Sequence, residues 1–117
     1  MIRLTALLAA CATVVALAAS SAAAAPVKLV GTVGPDFTIT LKKGSKTVTT
    51  LKHGKYTFVI HDKSNLHNFH LKGPVSKNMT TVTFVGTKTY TLTLKPGKYT
   101  YVCDPHAVAM HGSFRVT

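Results

Sequence analysis

Acidic residues are nearly absent from this sequence, which has three Asp and Glu residues against fourteen Lys and Arg residues and a net charge of +11. It contains no tryptophan. No paired carboxylates, nucleophile elbow or phosphate-binding loop are present, and each of these is a common basis of hydrolytic or transfer chemistry. The sequence therefore does not predict an enzyme.

Arginine is also scarce, since Arg115 is the only one after Arg3. The twelve lysines appear spread along the chain rather than gathered in a run, which is typical of a solvated surface. A nucleic-acid partner is not expected from this distribution. A strongly positive surface favours an acidic partner or an anionic surface instead.

Long apolar runs are absent after residue 25, so no membrane span is expected in the rest of the chain. Before that point, Arg3 precedes an almost wholly apolar stretch over residues 4–19 and a run of small residues over 20–25. This order predicts a secretory signal over residues 1–25 and a periplasmic or extracellular location.

Cleavage of the signal is expected between Ala22 and Ala25, which leaves one mature domain over residues 26–117. Two alternatives stay open. The segment could be retained as a membrane anchor, or Cys11 could carry a lipid, because residues 8–11 resemble a lipid-attachment box.

Cysteine is limited to Cys11 and Cys103, so the mature domain would keep one thiol and could form no internal disulfide. Loss of Arg3 would lower the basic residues from 14 to 13 and the net charge from +11 to +10. An exposed thiol is a liability in an oxidising compartment. Cys103 is therefore either buried and inert or a thiolate that binds a metal.

Apolar and polar residues alternate with a period of two in residues 37–41, 82–84 and 90–94, which are rich in Thr, Val, Tyr and Phe. Turns rich in glycine and proline separate such runs. The pattern predicts an all-β fold of seven or eight short strands, as an antiparallel sandwich or barrel.

Two segments resemble each other, Leu51–Ile60 and Leu94–Cys103. Each has a glycine turn followed by aromatic residues at alternate positions, so they could be equivalent strands of two sheets. Alternation places Tyr99, Tyr101 and Cys103 on one face of the second strand, and we expect that face to point inward.

The residues that follow this strand form a candidate metal-binding loop. A thiolate at Cys103, an imidazole at His106 and a thioether at Met110 suit copper. Pro105 restricts the loop between the first two. A further imidazole is needed, and His67 is the best candidate.

The chain resembles the cupredoxins, which are small blue-copper proteins, and especially their plastocyanin and amicyanin branch. The resemblance rests on three motifs: His67-Asn68-x-His70, Gly97-x-Tyr99-x-Tyr101-x-Cys103-x-Pro105-His106 and Met110-x-Gly112-x-Phe114-x-Val116. It implies a Greek-key β-sandwich with one type 1 copper ion near one end. His67, Cys103 and His106 would be the in-plane ligands, and Met110 the weak axial ligand.

The resemblance also implies that Asn68 supports the ligands without binding the metal itself. Its backbone N–H would donate to the thiolate and its side chain would tie the two ligand loops together. The alternative is that Asn68 is an ordinary turn residue.

Two features of the loop depart from the family pattern. Six residues separate Cys103 from Met110, more than in amicyanin-like loops and fewer than in plastocyanin-like ones, so the axial bond length and the reduction potential stay open. Asp104 replaces a small hydroxyl residue, and its carboxylate would either lower the potential or face solvent.

The resemblance also implies that the edge of His106 reaches solvent within an apolar patch, here formed by residues 107–109 with Pro74 nearby. The alternative is a ligand histidine that merely lies near the surface. Such a patch suits transient complexes with redox protein partners, which the basic charge suggests are acidic. The protein is expected to be a monomer.

The other candidate ligands are given lesser roles. His70 should face away from His67 on its strand and be structural. His53 and His61 are expected to be solvated. Met79 is expected in the core or on the surface, and His111 is the one alternative ligand.

Electron transfer is the leading function. Copper storage or delivery outside the cytoplasm is the alternative, although only Met79 and Met110 remain as methionines after the signal. Multicopper oxidases and copper nitrite reductases use this fold but need further domains and His-x-His pairs. This sequence has neither, so an enzyme of these classes is not expected. A copper-free adhesive sandwich is disfavoured because all four ligand positions are filled.

Overall fold

The structure of the protein, a computed structural model, describes residues 9–18 and 24–117. Residues 9–18 and 24–26 are exposed and lie outside any strand or helix. Part of the predicted cleavage region falls outside the described residues, so the signal and the domain boundary stay predictions. Over the described ranges, no helix is long and apolar enough to cross a membrane.

Residues 27–116 contain ten strands arranged in two five-stranded sheets. The first sheet has the order β3-β2-β1-β5-β8, with the bounds β1 Val27–Val33, β2 Ile39–Lys43, β3 Lys46–Thr47, β5 Gly54–Asp62 and β8 Gly86–Leu94. The second has the order β4-β10-β9-β6-β7, with the bounds β4 Thr50–Leu51, β6 Phe69–Lys72, β7 Lys77–Thr80, β9 Gly97–Val102 and β10 His111–Val116. The predicted all-β sandwich is confirmed, but it is not wholly antiparallel, because β1 pairs with β5 and β4 pairs with β10 in parallel. The strand count exceeds the expected seven or eight, and β3 and β4 have only two residues each.

One predicted strand segment is wrong at its start, and a second lies wholly outside the strands. Phe37 precedes β2 because the Gly34 N–H donates to the Thr38 carbonyl and closes a turn there. Residues 82–84 form a turn between β7 and β8, in which the Phe84 N–H donates to the Thr81 carbonyl. In both places a backbone hydrogen bond closes a turn over residues whose alternation predicted a strand.

The two similar segments occupy equivalent places, as expected. β5 lies between β1 and β8 in the first sheet, and β9 lies between β10 and β6 in the second. In each strand a tyrosine hydroxyl donates to the carbonyl four residues earlier, from Tyr56 to Lys52 and from Tyr99 to Lys95. The inward direction of Cys103 is also confirmed, because its side chain is fully buried in the core between the sheets.

The strand registers place the loops at two opposite ends of the sandwich. The loops over 34–38, 63–68, 81–85 and 103–110 meet at one end, which we call the metal end. The turns over 44–45, 52–53 and 95–96, with the start of β1, lie at the other. The sandwich therefore brings the predicted ligands, which are distant in sequence, to one end.

The basic residues are less evenly spread than the sequence indicated. Eight of the thirteen that follow residue 25 lie at or next to the turns opposite the metal end, and we call this region the cationic end. Its members are Lys28, Lys43, Lys46, Lys52, Lys55, Lys95, Lys98 and Arg115, and all are exposed. The three acidic side chains, Asp36, Asp62 and Asp104, all lie at the metal end. Residues scattered along the chain are gathered because consecutive strands return to the same end.

Candidate metal centre

Three predicted ligands come from two loops of the metal end. His67 lies just before β6, Cys103 directly follows β9, and His106 ends a 3₁₀ turn over Asp104–His106. His67 and Cys103 are buried, whereas His106 is half-buried. Among the residues that the structure describes, these three form the one His, Cys, Asp or Glu group that could hold a metal ion.

The donor atoms of this group form a nearly regular triangle. The Sγ atom of Cys103 lies 3.6 Å from the Nδ1 atoms of both His67 and His106, and the two Nδ1 atoms are 3.1 Å apart. A point in their plane equidistant from all three would lie about 2 Å from each, close to the 2.0–2.3 Å of zinc bonds to the same donor types. One thiolate and two imidazoles are the three strong donors of a type 1 copper site. The residues therefore fit the ion that the sequence predicted.

Met110 is held beside this triangle by the folding of its loop. The Met110 N–H donates to the His106 carbonyl at 2.8 Å, and the Cys103 N–H donates to the Met110 carbonyl at 3.0 Å. The Met110 side chain is fully buried in the same core as Cys103. This loop of six intervening residues is thus closed by backbone hydrogen bonds, and axial ligation by Met110 stays a prediction.

Asn68 ties the two ligand loops together. Its Oδ1 accepts from the Asp104 N–H at 2.7 Å, and its Nδ2 donates to Asp104 Oδ2 at 2.8 Å and to Asn78 Oδ1 at 3.0 Å. The Asn68 side chain is buried, whereas its partners Asn78 and Asp104 are exposed, so these hydrogen bonds are partly buried. The structure thus places Asn68 where the tie was expected, while the hydrogen bond from its backbone to the thiolate stays a prediction.

Asp104 is held by several partners rather than simply facing solvent. Its Oδ2 lies 2.8 Å from His70 Nδ1, and its Oδ1 lies 3.3 Å from Lys72 Nζ. Partial burial by itself raises the pKa of the Asp104 carboxyl, but hydrogen bonds from Asn68, His70 and Lys72 together lower that pKa below its ordinary value. Asp104 is therefore a carboxylate at neutral pH, and it links the loop after β9 to His70 and Lys72 of β6.

Asp62, the last residue of β5, has a pKa that is shifted in the opposite direction. Its side chain is 2% exposed, and its Oδ2 has no hydrogen-bond partner, while its Oδ1 accepts from the Ser64 N–H at 3.1 Å. Burial raises the pKa of the Asp62 carboxyl and outweighs the effects of its hydrogen bonds and of His67, which lower it.

Phe37 contacts the site although sequence reasoning did not select it. Its ring lies edge-on to both imidazoles, with centroids 4.9 Å from His106 and 5.4 Å from His67. Gly34 allows this loop to approach, because a Cβ there would lie 2.9 Å from Ser64 Cβ and its φ is +73°. The sequence feature that could have identified Phe37 is its position directly after a Gly-Pro-Asp turn. The alternation in residues 37–41 instead suggested that Phe37 belongs to a strand.

An apolar patch surrounds His106, as expected, but with different neighbours. Phe37 and Val108 border this patch and are exposed, and Val108 is 94% accessible. Phe37 and residues 104–109 line a shallow cavity of about 460 Å³. Pro74 does not belong to the patch, which corrects the prediction. It packs on Gly97 at the other end, because the β6–β7 connection extends away from the metal end.

The remaining candidates lie outside the triangle. His70 faces outward to Asp104, as predicted, and Met79 is buried in the core. His111 is exposed, with its Nδ1 3.0 Å from the Ala107 carbonyl oxygen, and it does not join the donor group.

The two other histidines, His53 and His61, do not belong to the donor triangle. His53 is exposed and lies 3.0 Å from the Thr117 carbonyl oxygen through its Nδ1. His61 is partly exposed, with its Nδ1 3.0 Å from the Thr87 hydroxyl.

Several solved structures are similar to this chain. A methionine-to-glutamine variant of rusticyanin is 23% identical, with 81% of this chain and 80% of that chain covered and a TM-score of 0.53. Auracyanin A, a blue copper protein from Chloroflexus aurantiacus, is 19% identical, with coverages of 80% and 100% and a TM-score of 0.53. A copper-containing nitrite reductase from Thermus scotoductus is 23% identical over 88% of this chain but only 25% of its own, with a TM-score of 0.54. At these identities the likeness shows the fold alone.

Sequence comparison identifies the family. No curated protein sequence matches this chain significantly. The family model of copper-binding proteins of the plastocyanin/azurin family matches residues 35–117, which include both ligand loops. Together with the donor triangle of His67, Cys103 and His106, this match identifies one type 1 copper site. The chain belongs to the plastocyanin/azurin family of copper-binding proteins.

Proposed function

We propose that this protein carries single electrons through one copper ion held by His67, Cys103 and His106, with Met110 as the weak axial ligand. The observation that carries the proposal is the donor triangle, whose sides are 3.1–3.6 Å. Copper bound by such a set alternates between Cu(I) and Cu(II) with little change of geometry.

The surroundings of the triangle support a carrier because they restrain the ligands. Asn68 joins the two loops through two hydrogen bonds to Asp104, and a third hydrogen bond connects it to Asn78. All three are 2.7–3.0 Å long. Hydrogen bonds also close the loop from Cys103 to Met110. A site held in this way has little freedom to rearrange on a change of charge, and a small rearrangement favours fast electron exchange.

The exposed edge of the site supports transient contact with another redox protein. His106 is half-buried and is bordered by Phe37 and Val108, which are exposed and uncharged. A small apolar contact surface suits complexes that form and separate quickly. The partners would be redox proteins, with acidic ones favoured by the net charge of +11, and the carrier would act as a monomer.

The proposed place of action is the periplasm or the outside of the cell. The support is the order of the first 25 residues, in which Arg3 precedes an apolar stretch and a run of small residues. Mass spectrometry of the exported protein would locate the cleavage site, and an intact N-terminus would contradict the signal.

The test of the function is electrochemical. Cu(II) added to the purified metal-free protein should produce an intense thiolate-to-copper absorption band and a reversible one-electron wave without oxygen consumption. Electron self-exchange should be fast. Slow self-exchange with a large change of copper geometry would favour storage or delivery, and oxygen consumption would indicate an oxidase.

A further inference from the structure

The cationic end is a continuous surface rather than a set of separate lysines. Lys43 and Lys52 line one cavity of about 390 Å³, and Lys43 also lines a second cavity together with Lys46. Lys98 and Arg115 line a third, of about 190 Å³. The first two cavities share Lys43, and the third meets the second at Thr49, so basic side chains of both sheets lie around adjoining cavities.

No acidic side chain offsets this charge. The ion pairs found among residues 9–18 and 24–117 both involve Asp104 at the metal end. At the cationic end, like charges even face each other across strands, because Lys43 pairs with Lys46 and Lys98 pairs with Arg115. Directly opposed like charges destabilise a sheet. The fold therefore carries a cost here that an external anion would relieve.

The cationic end is too far from the ligands to be the electron contact. β5 runs from Gly54 near the cationic end to Asp62 at the metal end, and its nine residues span about 26 Å at the usual strand rise. Electron tunnelling weakens steeply with distance, so electrons would exchange at the opposite, apolar end. A separate role is required for the basic surface.

The composition of the cationic end indicates the occupant. Seven of its eight basic residues are lysines, which act as mobile point charges and do not form the fixed paired bonds that arginine makes with a carboxylate. Near a membrane surface, each exposed lysine adds attraction to anionic lipids. We propose that the cationic end docks on an anionic phospholipid surface and holds the metal end away from it.

The test compares two triple variants with equal net charge. In the first, Lys46, Lys52 and Lys95 of the cationic end are replaced by glutamine; in the control, Lys63, Lys77 and Lys88 are replaced. The metal-free mature protein, without residues 1–25, is floated with vesicles of phosphatidylcholine containing phosphatidylglycerol at about 0.1 M salt, where charges beyond about 10 Å are screened. Vesicles of phosphatidylcholine alone measure the binding that does not depend on lipid charge.

The K46Q/K52Q/K95Q variant should bind the anionic vesicles at least about tenfold more weakly, since each surface lysine contributes roughly fivefold. The control should change less than about twofold. Val108→Ser should bind like the unmodified chain, because the apolar tip of the metal end would face away from the lipid.

Equal losses in the two triple variants would overturn the proposal, as would a loss confined to Val108→Ser. If K46Q/K52Q/K95Q kept its vesicle binding but slowed electron transfer to an acidic redox protein, the surface would belong to a protein partner and the proposal would be wrong. No copper is used in the vesicle assay, so its result is independent of the proposed electron transfer.

Discussion

The two ends of the sandwich are built from loops of the same sheets but differ in how their side chains are held. At the metal end, partly buried hydrogen bonds connect Asn68, Asn78 and Asp104, and a closed loop joins Cys103 to Met110. At the cationic end, eight exposed basic residues lie in or beside short turns. One end restrains its side chains, whereas the other leaves them free in water.

This difference separates two tasks within one small domain. A metal site needs fixed donors, and fixed donors need buried partners. A surface that binds by charge needs exposed and mobile cations, and the long lysine side chain provides them. The following predictions test this separation, from the largest expected effect to the smallest.

Removal of the thiol should abolish the metal site completely. Cys103→Ala deletes the one thiolate of the triangle, so titration with Cu(II) should produce no intense visible band. In the uncleaved chain, Cys11→Ser provides the matched control, since Cys11 is exposed and outside the sandwich, and the absorption spectrum of this variant should equal that of the unmodified chain. A band that survives in Cys103→Ala would refute the site.

Replacement of the axial candidate should change the potential but keep the colour. Met110→Leu would remove a weak donor that favours Cu(II), so voltammetry should show a higher reduction potential by at least about 59 mV, a tenfold change in a one-electron equilibrium. The control is Met79→Leu, another buried methionine of the same core. Equal potentials in all three proteins would show that Met110 is not the axial ligand.

Loss of the loop tie should weaken both stability and metal binding. Asn68→Ala would remove three partly buried hydrogen bonds to Asp104 and Asn78, so urea unfolding of the metal-free protein should lose about 1–2 kcal/mol. Copper affinity should fall about 10- to 100-fold. The exposed Asn65→Ala should change stability by less than about 0.5 kcal/mol, and an equal loss there would argue against the tie.

The buried carboxyl of the metal end should make stability fall as pH rises. Because burial raises the pKa of Asp62, the folded protein binds more protons than the unfolded chain between about pH 4 and the raised pKa. Stability therefore falls through this window and stays lower above it. Asp62→Asn should raise the free energy of unfolding by about 1 kcal/mol at pH 7 and remove that part of the pH dependence. A parallel pH profile in the variant would exclude Asp62 as the cause.

A charge reversal at the cationic end should stabilise the fold slightly. Lys98→Glu would place an acid opposite Arg115 and raise the free energy of unfolding by about 0.5 kcal/mol in low salt. The gain should vanish near 1 M salt, where the screening length is about 3 Å. Lys63→Glu at the metal end should give no such gain, and a similar gain there would show that overall charge rather than position matters.

Much of the metal end was predictable because its chemistry is local. Cys103, His106 and Met110 lie within one short segment, and the motif around His67 supplies the distant imidazole. The alternation of Tyr99, Tyr101 and Cys103 fixed the inward direction of the thiol, since a strand places alternate side chains on one face.

The contribution of Phe37 was not predictable for a physical reason. Alternation in residues 37–41 suggested a strand, but the hydrogen bond between Gly34 and Thr38 holds Phe37 in a loop over the two imidazoles. Pro74 was misplaced for a similar reason, because the direction of a hairpin depends on its sheet partners and not on its own residues. Contacts between loops follow from the packing of the sheets.

The sequence by itself determined the donor types, the soft character of the site, the β class of the fold and the excess of positive charge. Only the tertiary structure decided where that charge lies. Lysines that appear evenly spread along the chain gather at one end because consecutive strands reverse direction, which returns distant turns to the same place. The same reversal brings His67 to within 3.6 Å of the Cys103 sulfur, so a single topological cause produces both ends of the molecule.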